Sequence, residues 1–260
     1  MRLLALLLVA LLSRTAGAEP AIAIIMDDLG YSRENGERAL NLPVEVTAAV
    51  IPKAPHGPLL AQKAAEAGRE VIIHLPMTAA AWKGLDAGGI HDGMRPEEIG
   101  RVIRDAFERI PQARGLNNHM GSRFTANDEA MHWVMHELAA HGAFFVDSLT
   151  TPDSVGTKMA ARHDLPFARR DVFLDNERGL LDINTQFNKL IRLARRRGHA
   201  IGIAHPYPET LEYLEQALPL LAEAGVEVVS VSSLLSKPDP DQPEGAGGAR
   251  QAGQAVENFD

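Results

Sequence analysis

Cysteine is absent from the 260 residues. The chain has no disulfide, no thiolate ligand and no cysteine nucleophile, so its stability rests on core burial and on any bound ion. Aromatic residues are scarce at 5%, too few to make base stacking or sugar stacking the main binding device. Gly30, the pair Gly88-Gly89 and Gly121 stand apart from one another and do not build a glycine-rich phosphate loop. Neither Ser122 nor Ser148 lies in a nucleophile elbow, which disfavours a serine hydrolase. Positive charge is in deficit: the formal net charge is -8. That balance argues against nucleic acid and against anionic membranes as partners.

Long hydrophobic runs are also missing, with one partial exception at the start. Met1-Arg2 is basic, Leu3 to Leu12 is apolar, and Ala16-Gly17-Ala18 is a small-x-small triplet. The apolar part falls short of the roughly 20 residues that span a bilayer, and the layout is that of a secretory signal peptide. The expected organisation is therefore a signal peptide over 1–18, one folded domain over 19–236 and a tail over 237–260. The tail is rich in Pro, Gly and Gln and reads as disordered. The expected location is a bacterial periplasm, with no stable membrane span.

The folded part is organised around Ala21-Ile-Ala-Ile-Ile-Met-Asp27-Asp28-Leu-Gly30. A short, continuously apolar run bounded by a turn signal reads as a strand buried on both faces. Two carboxylates at its C-terminal end would stand at the rim of a parallel sheet, where open α/β sheets and barrels place their chemistry. The alternative is a polar turn in which Asp28 caps the next helix. Further strands are expected at Val44–Ile51, Glu70–His74, Ala143–Asp147, Val172–Asp175, Gly198–His205 and Val226–Val231, with Gly115–Ser122 as a strand end turning into a loop. Helices are expected between them, including Ser32–Leu40, His56–Gly68, Pro96–Ile110, Asp128–His141, Val155–Arg162, Thr185–Arg197 and Pro208–Gly225. Thr78 to Met94 has no periodicity and reads as a long loop, the kind that often carries function. This alternation implies a parallel sheet, and its repetition implies an α/β barrel of about seven strands.

The polar strand ends are Asp27, Asp28, His74, His119, Asp147, Asp175 and His205. A barrel would gather them on one rim. Imidazole and carboxylate together are the ligand set of zinc or a related divalent ion. Spare carboxylates and imidazoles beside such an ion can serve as general base and general acid. Asp147 and Asp175 are open between orienting those groups and capping turns. Arg170 is expected to pair with one of these two carboxylates, the alternative being that it faces solvent. His132 and His136, one turn apart on a helix, and His141 near that helix's end read as surface residues for want of an acidic partner.

These segments resemble the divergent polysaccharide deacetylase family, a periplasmic branch of the polysaccharide deacetylases (carbohydrate esterases). The resemblance runs from about Ala21 to Ser233. It is carried by Ile-Ile-Met-Asp27-Asp28-Leu-Gly, Glu-Val-Ile-Ile-His74-Leu-Pro-Met, Asn117-Asn118-His119-Met-Gly-Ser, Phe-Val-Asp147-Ser148, Arg170-Asp-Val-Phe-Leu-Asp175-Asn and Ile-Gly-Ile-Ala-His205-Pro. It implies a distorted (β/α) barrel and a metal-dependent hydrolase, with zinc the expected ion, that removes acetyl groups from a glycan. It implies Asp27 as general base, Asp28 and His74 as metal ligands and His205 as general acid. Two family features are absent. The turn after His74 reads Leu-Pro-Met-Thr and lacks the family's second metal His, and there is no Arg-x-Pro-Tyr segment. Asn117-Asn118-His119 stands at about that place in the order, so His119 is inferred to replace the missing ligand, with His91 in reserve. Asn118, Asp147, Arg170 and Asp175 are the candidates for supporting the ligands or touching substrate. These departures also keep open a catalytically inactive glycan-binding or regulatory protein on the same barrel.

Overall fold

A computed structural model describes residues 19–81 and 84–236. The expected signal peptide and tail lie outside the described residues. In chain order the elements are β1 (Ala21–Leu29), α1 (Arg33–Ala39), β2 (Thr47–Val50), α2 (Gly57–Glu66), β3 (Val71–Met77), α3 (Pro96–Arg109), β4 (Gly115–Met120), α4 (Asp128–Ala140), β5 (Phe144–Asp147), α5 (Gly156–Arg162), β6 (Phe167–Arg169), β7 (Val172–Phe173), α6 (Leu180–Arg197), β8 (His199–Ala204), α7 (Pro208–Ala217) and β9 (Glu227–Val228). All strand pairs are parallel, in the order β6-β5-β4-β3-β2-β1-β8-β7, with β9 added beside the start of β1.

The two ends of this sheet are consecutive in sequence. Only Arg170 and Asp171 separate β6 from β7. The Arg170 amide donates to Asp147 O of β5 at 3.0 Å, and the Asp171 amide donates to Ile201 O of β8 at 2.8 Å. Residues 167–173 therefore act as one kinked strand, whose first half pairs with β5 and second half with β8. Counted this way the sheet curls into a distorted barrel of seven strand positions, as expected from the alternation.

Side chains alternate across the wall of the barrel, as the two-residue period of a strand requires. On β1, Ile22, Ile24 and Met26 belong to the large core that also holds helix residues such as Ala61, Ile99, Ile103 and Leu138. Ala23 and Ile25 belong to a second, smaller core with Ala49, Ile72, Val146, Ile201 and Ile203. The first core lies between sheet and helices, and the second fills the inside of the barrel. Central strands such as β1, β2, β3 and β8 are thus apolar on both faces, which is why they read as continuous apolar runs.

Several boundaries differ from expectation for identifiable reasons. β3 continues through Pro76 to Met77 instead of stopping at His74. Its last partner on β2 is Val50, opposite Ile73, and further along that side Ile90 takes over, its amide donating to Pro76 O at 2.9 Å, so β3 extends past its proline. α6 starts at Leu180, five residues early, with Gly179 as its N-cap. The 81% exposure of Leu181 masks the amphipathic pattern there. α7 ends at Ala217 and passes into a 3-10 turn over Leu218–Leu220, which contains Pro219.

Candidate metal and acid–base site

The inner face of the barrel ends in a polar layer. Asp27 continues the inward series Ala23, Ile25 on β1, and His74 follows Ile72 on β3. Asn117 and His119 alternate on β4, and Asp175 and His205 continue the inward series of β7 and β8. Register brings neighbours together: His74 stands opposite Asn117, and Pro76 opposite His119.

Asp28 has the wrong parity for this layer, and a bulge corrects it. Met26 pairs with Ala48 and Leu29 with Val50, so β1 spends one residue more than β2 over this step. Asp28 sits at φ 56°, the left-handed region that Asp tolerates better than most residues. A bulge re-aims a side chain. Here it turns both adjacent carboxylates toward the same point.

That point has the composition of a metal site. Asp28, His74 and His119 each offer a ligand atom, and these atoms all lie within 4.8 Å of one another. Asp28 Oδ1 is 2.8 Å from His119 Nδ1 and 3.2 Å from His74 Nε2. It is nevertheless buried without a hydrogen bond of acceptable geometry. A buried carboxylate oxygen without a partner, facing two ring nitrogens that lie 3.2 Å from each other, fits a divalent cation better than it fits a hydrogen-bond network.

The surrounding bonds set the His74 tautomer. Asn117 Nδ2 donates to Asp27 Oδ1 at 2.8 Å, which turns the amide oxygen toward His74. His74 Nδ1 donates to that oxygen at 2.7 Å. In the neutral ring the Nε2 lone pair then faces Asp28 and His119, as metal ligation needs. His119 is oriented from its far side. Its Nε2 is 3.3 Å from Asp86 Oδ2, and the Tyr31 hydroxyl donates to the same oxygen at 2.6 Å. Asp86 comes from the long loop and was missed in the sequence, where nothing marks it among other polar loop residues. His91 is exposed and accepts from the Gly93 amide, away from the cluster.

Electrostatics separate the carboxylates. Burial pushes Asp27 up, against the opposing pull of His74, His205 and Asn117. Burial would also raise Asp28, but its contacts with His119 and His74 outweigh it and hold Asp28 far below the usual carboxylate range. Burial opposes charge on His74, yet Asp27 and Asp28 overcome it and raise its pKa. His205 is likewise opposed by burial and raised to about 9, chiefly by Asp175. Asp175 Oδ1 is 3.0 Å from His205 Nδ1, while Oδ2 accepts from the His205 amide and the Thr210 hydroxyl. His205 Nε2 points back toward the cluster, 3.9 Å from Asp28 Oδ2. Its ring is stacked between Phe173 and Tyr207.

The remaining candidates divide by parity. Asp147 follows Phe145, which packs on the helix side, so it points away from the polar layer. It accepts from the Leu149 amide and the Ser154 hydroxyl and caps the loop after β5. Arg170 does not form the expected ion pair: among the described residues its guanidinium donates to the Ser148 and Leu149 carbonyls and lies over Phe173. Arg170 and Asp147 thus brace the same loop, one through its carbonyls and the other through its amide. Asn118, also outward, accepts from the Ser148 amide and donates to Met120 O, tying β4 to that loop.

A model of the divergent polysaccharide deacetylase family matches residues 24–235. The chain belongs to this family. The uncharacterized protein YibQ of Escherichia coli strain K12 is 39% identical over 220 residues, covering 85% of this chain and 69% of that protein. Among solved structures, the uncharacterized protein ATU2773 from Agrobacterium tumefaciens C58 aligns with a TM-score of 0.81 at 25% identity, over 85% of this chain and 91% of that one. A family 4 carbohydrate esterase from Streptomyces lividans, solved in complex with acetate, aligns with a TM-score of 0.52 at 15% identity, over 85% of this chain and 98% of that one. That last likeness establishes the deacetylase fold and nothing finer.

Proposed function

We propose that this protein is a metal-dependent hydrolase that removes acetyl groups from a glycan in the bacterial periplasm. The observation that carries the reading is the unpaired, buried Asp28 Oδ1 facing His74 Nε2 and His119 Nδ1, with Asp27 and His205 beside it. Asp28, His74 and His119 would hold the ion. A divalent cation, zinc by ligand type, supplies Lewis acidity at this point when bound. Three protein ligands leave coordination positions open, as catalytic sites do.

Asp27 acts as general base. Its buried carboxylate, kept in place by the Asn117 amide, takes a proton from the attacking water. His205 acts as general acid and gives its Nε2 proton to the departing amine or alcohol. Asp175 keeps that proton available by stabilising the imidazolium and fixing the ring through Nδ1. The periplasmic location rests on the signal-peptide layout of residues 1–18. The other reading, a glycan-binding protein without turnover, is motivated by the absence of a histidine in Leu75-Pro76-Met77-Thr78.

Metal analysis of the purified protein beside Asp28→Ala, together with acetate release from acetylated glycans by the wild type and by Asp27→Asn, tests the proposal. A stoichiometric metal lost in the first variant, and acetate release lost in the second, are expected. Metal without acetate release from any glycan would favour the binding protein. No metal even after addition of zinc would refute the site.

A further inference from the structure

A second histidine cluster lies outside the barrel rim. His132 and His136 are one turn apart on the same face of α4. His163 caps the C-terminus of α5, the next helix round the barrel. His163 Nε2 is 2.9 Å from His132 Nδ1. His163 is close enough to both α4 rings for them to join burial in lowering its pKa. Asp128, one turn before His132 on the same face, is paired with Lys158 of α5 at 2.9 Å and is not free to neutralise the imidazoles.

We propose that His132, His136 and His163 form a surface site for a borderline divalent transition metal that joins α4 to α5. Imidazole suits nickel, copper and zinc. Histidines four residues apart on one helix face are a recurrent pair of ligands. The interhelical contact supplies the third. Around a metal at about 2.0–2.1 Å, two nitrogens 2.9 Å apart subtend about 90°, the angle between adjacent ligands in octahedral or square-planar coordination. Nickel and copper take these geometries. His136 is exposed one turn along the same face and would join the pair through a change of rotamer. The low basicity of His163 favours its neutral ring, and the proton shared in the His163–His132 hydrogen bond leaves the ligating nitrogen by moving to the outer nitrogen of the same ring. None of these residues touches the barrel-rim cluster, so the proposal stands independently of the proposed hydrolase.

The structure also contains a reporter. Trp133 lies edge-on to His132, with ring centroids 4.9 Å apart, and to His136 at 5.7 Å. The chain has two tryptophans, so Trp82→Phe leaves Trp133 as the sole emitter. The experiment titrates Ni²⁺ into the full chain carrying Trp82→Phe and Asp28→Ala, the second change weakening the rim site, and follows Trp133 fluorescence. Saturable quenching at one equivalent, reversed by EDTA, is expected. His163→Gln keeps a hydrogen bond to His132 but not the imidazole. It and His136→Ala should each weaken binding by about tenfold or more, as the loss of metal-site residues generally does. Absence of saturable quenching overturns the proposal. So does a curve that His163→Gln leaves unchanged, because binding would then involve α4 alone.

Discussion

Replacing Asp175 with Asn isolates the pair that would deliver the leaving-group proton. In the folded protein His205 is raised from 6.5 to about 9. At about 1.4 kcal/mol per pKa unit, that shift corresponds to roughly 3 kcal/mol of preference for the imidazolium. The His205 side chain is only 12% exposed, so solvent screens little of it. The sign follows from the direction. A group whose pKa is raised on folding contributes its full stabilisation below its unfolded value and loses it as pH rises through the folded value. The His205 contribution is therefore complete below about pH 6.5 and gone above about pH 9. In Asp175→Asn the new amide oxygen can accept from the His205 amide and Thr210, as Oδ2 does now. Its NH₂ group then faces His205 Nδ1 as a donor, which favours the neutral ring with Nδ1 unprotonated. The His205 pKa should fall by about two units or more. Nitrogen-detected NMR titration of the metal-free protein reads this directly. Urea melts at neutral and alkaline pH should show the wild type losing about 2 kcal/mol more than the variant between them, since part of the contribution is already gone at pH 7. A His205 pKa that stays above 8 in Asp175→Asn would refute the reasoning.

Four further outcomes are expected. His119→Ala should abolish stoichiometric metal binding while His91→Ala retains it; metal analysis that finds His119→Ala fully loaded would remove His119 from the ligand set. Asp86→Ala should weaken metal affinity by about tenfold, the lower end of what losing a residue behind a metal-bound histidine costs, because Asp86 is 43% exposed; a competition titration with a chelating dye measures it. Metal affinity should fall on acidification by up to about tenfold per pH unit, since the His74 pKa is raised and a proton must leave Nε2 before the metal binds; calorimetry in buffers of different ionisation enthalpy counts that proton. Asp147→Ala should leave metal content unchanged but cost about 1–3 kcal/mol, the penalty for leaving the Leu149 amide and Ser154 hydroxyl without their buried acceptor; loss of metal in this variant would contradict its outward orientation.

Much of the candidate site was legible in the sequence because strands have a strict period of two. Asp27 lies four residues from Ala23, His74 two from Ile72, and His205 two from Ile203. Once one inward residue on each strand is known, the polar ends sort themselves. The same count places Asp147, two residues after the outward Phe145, on the helix side, so its role as a loop cap was also readable. Apolar runs on both faces, alternating with helices, specified the parallel barrel without any knowledge of which strands pair.

What the tertiary structure decided is wherever local pattern and final position part company. Asp28 has the outward parity, and only the bulge with its left-handed backbone turns it inward. That bulge exists because β1 must spend one residue more than β2 at this step, a property of two strands together. Asp86 lies in a loop with no periodicity, and only the fold carries it to His119. Arg170 bonds two carbonyls rather than a carboxylate because the kink that joins β6 to β7 sets it beside the loop after β5. His163 is 31 residues from His132, and the packing of α5 on α4 brings them to 2.9 Å. Sequence determines which face a side chain takes within its own element, since that depends on backbone geometry over a few residues. The distance between two side chains on different elements depends on register, bulges and loop paths, and these are set by the packing of the whole barrel.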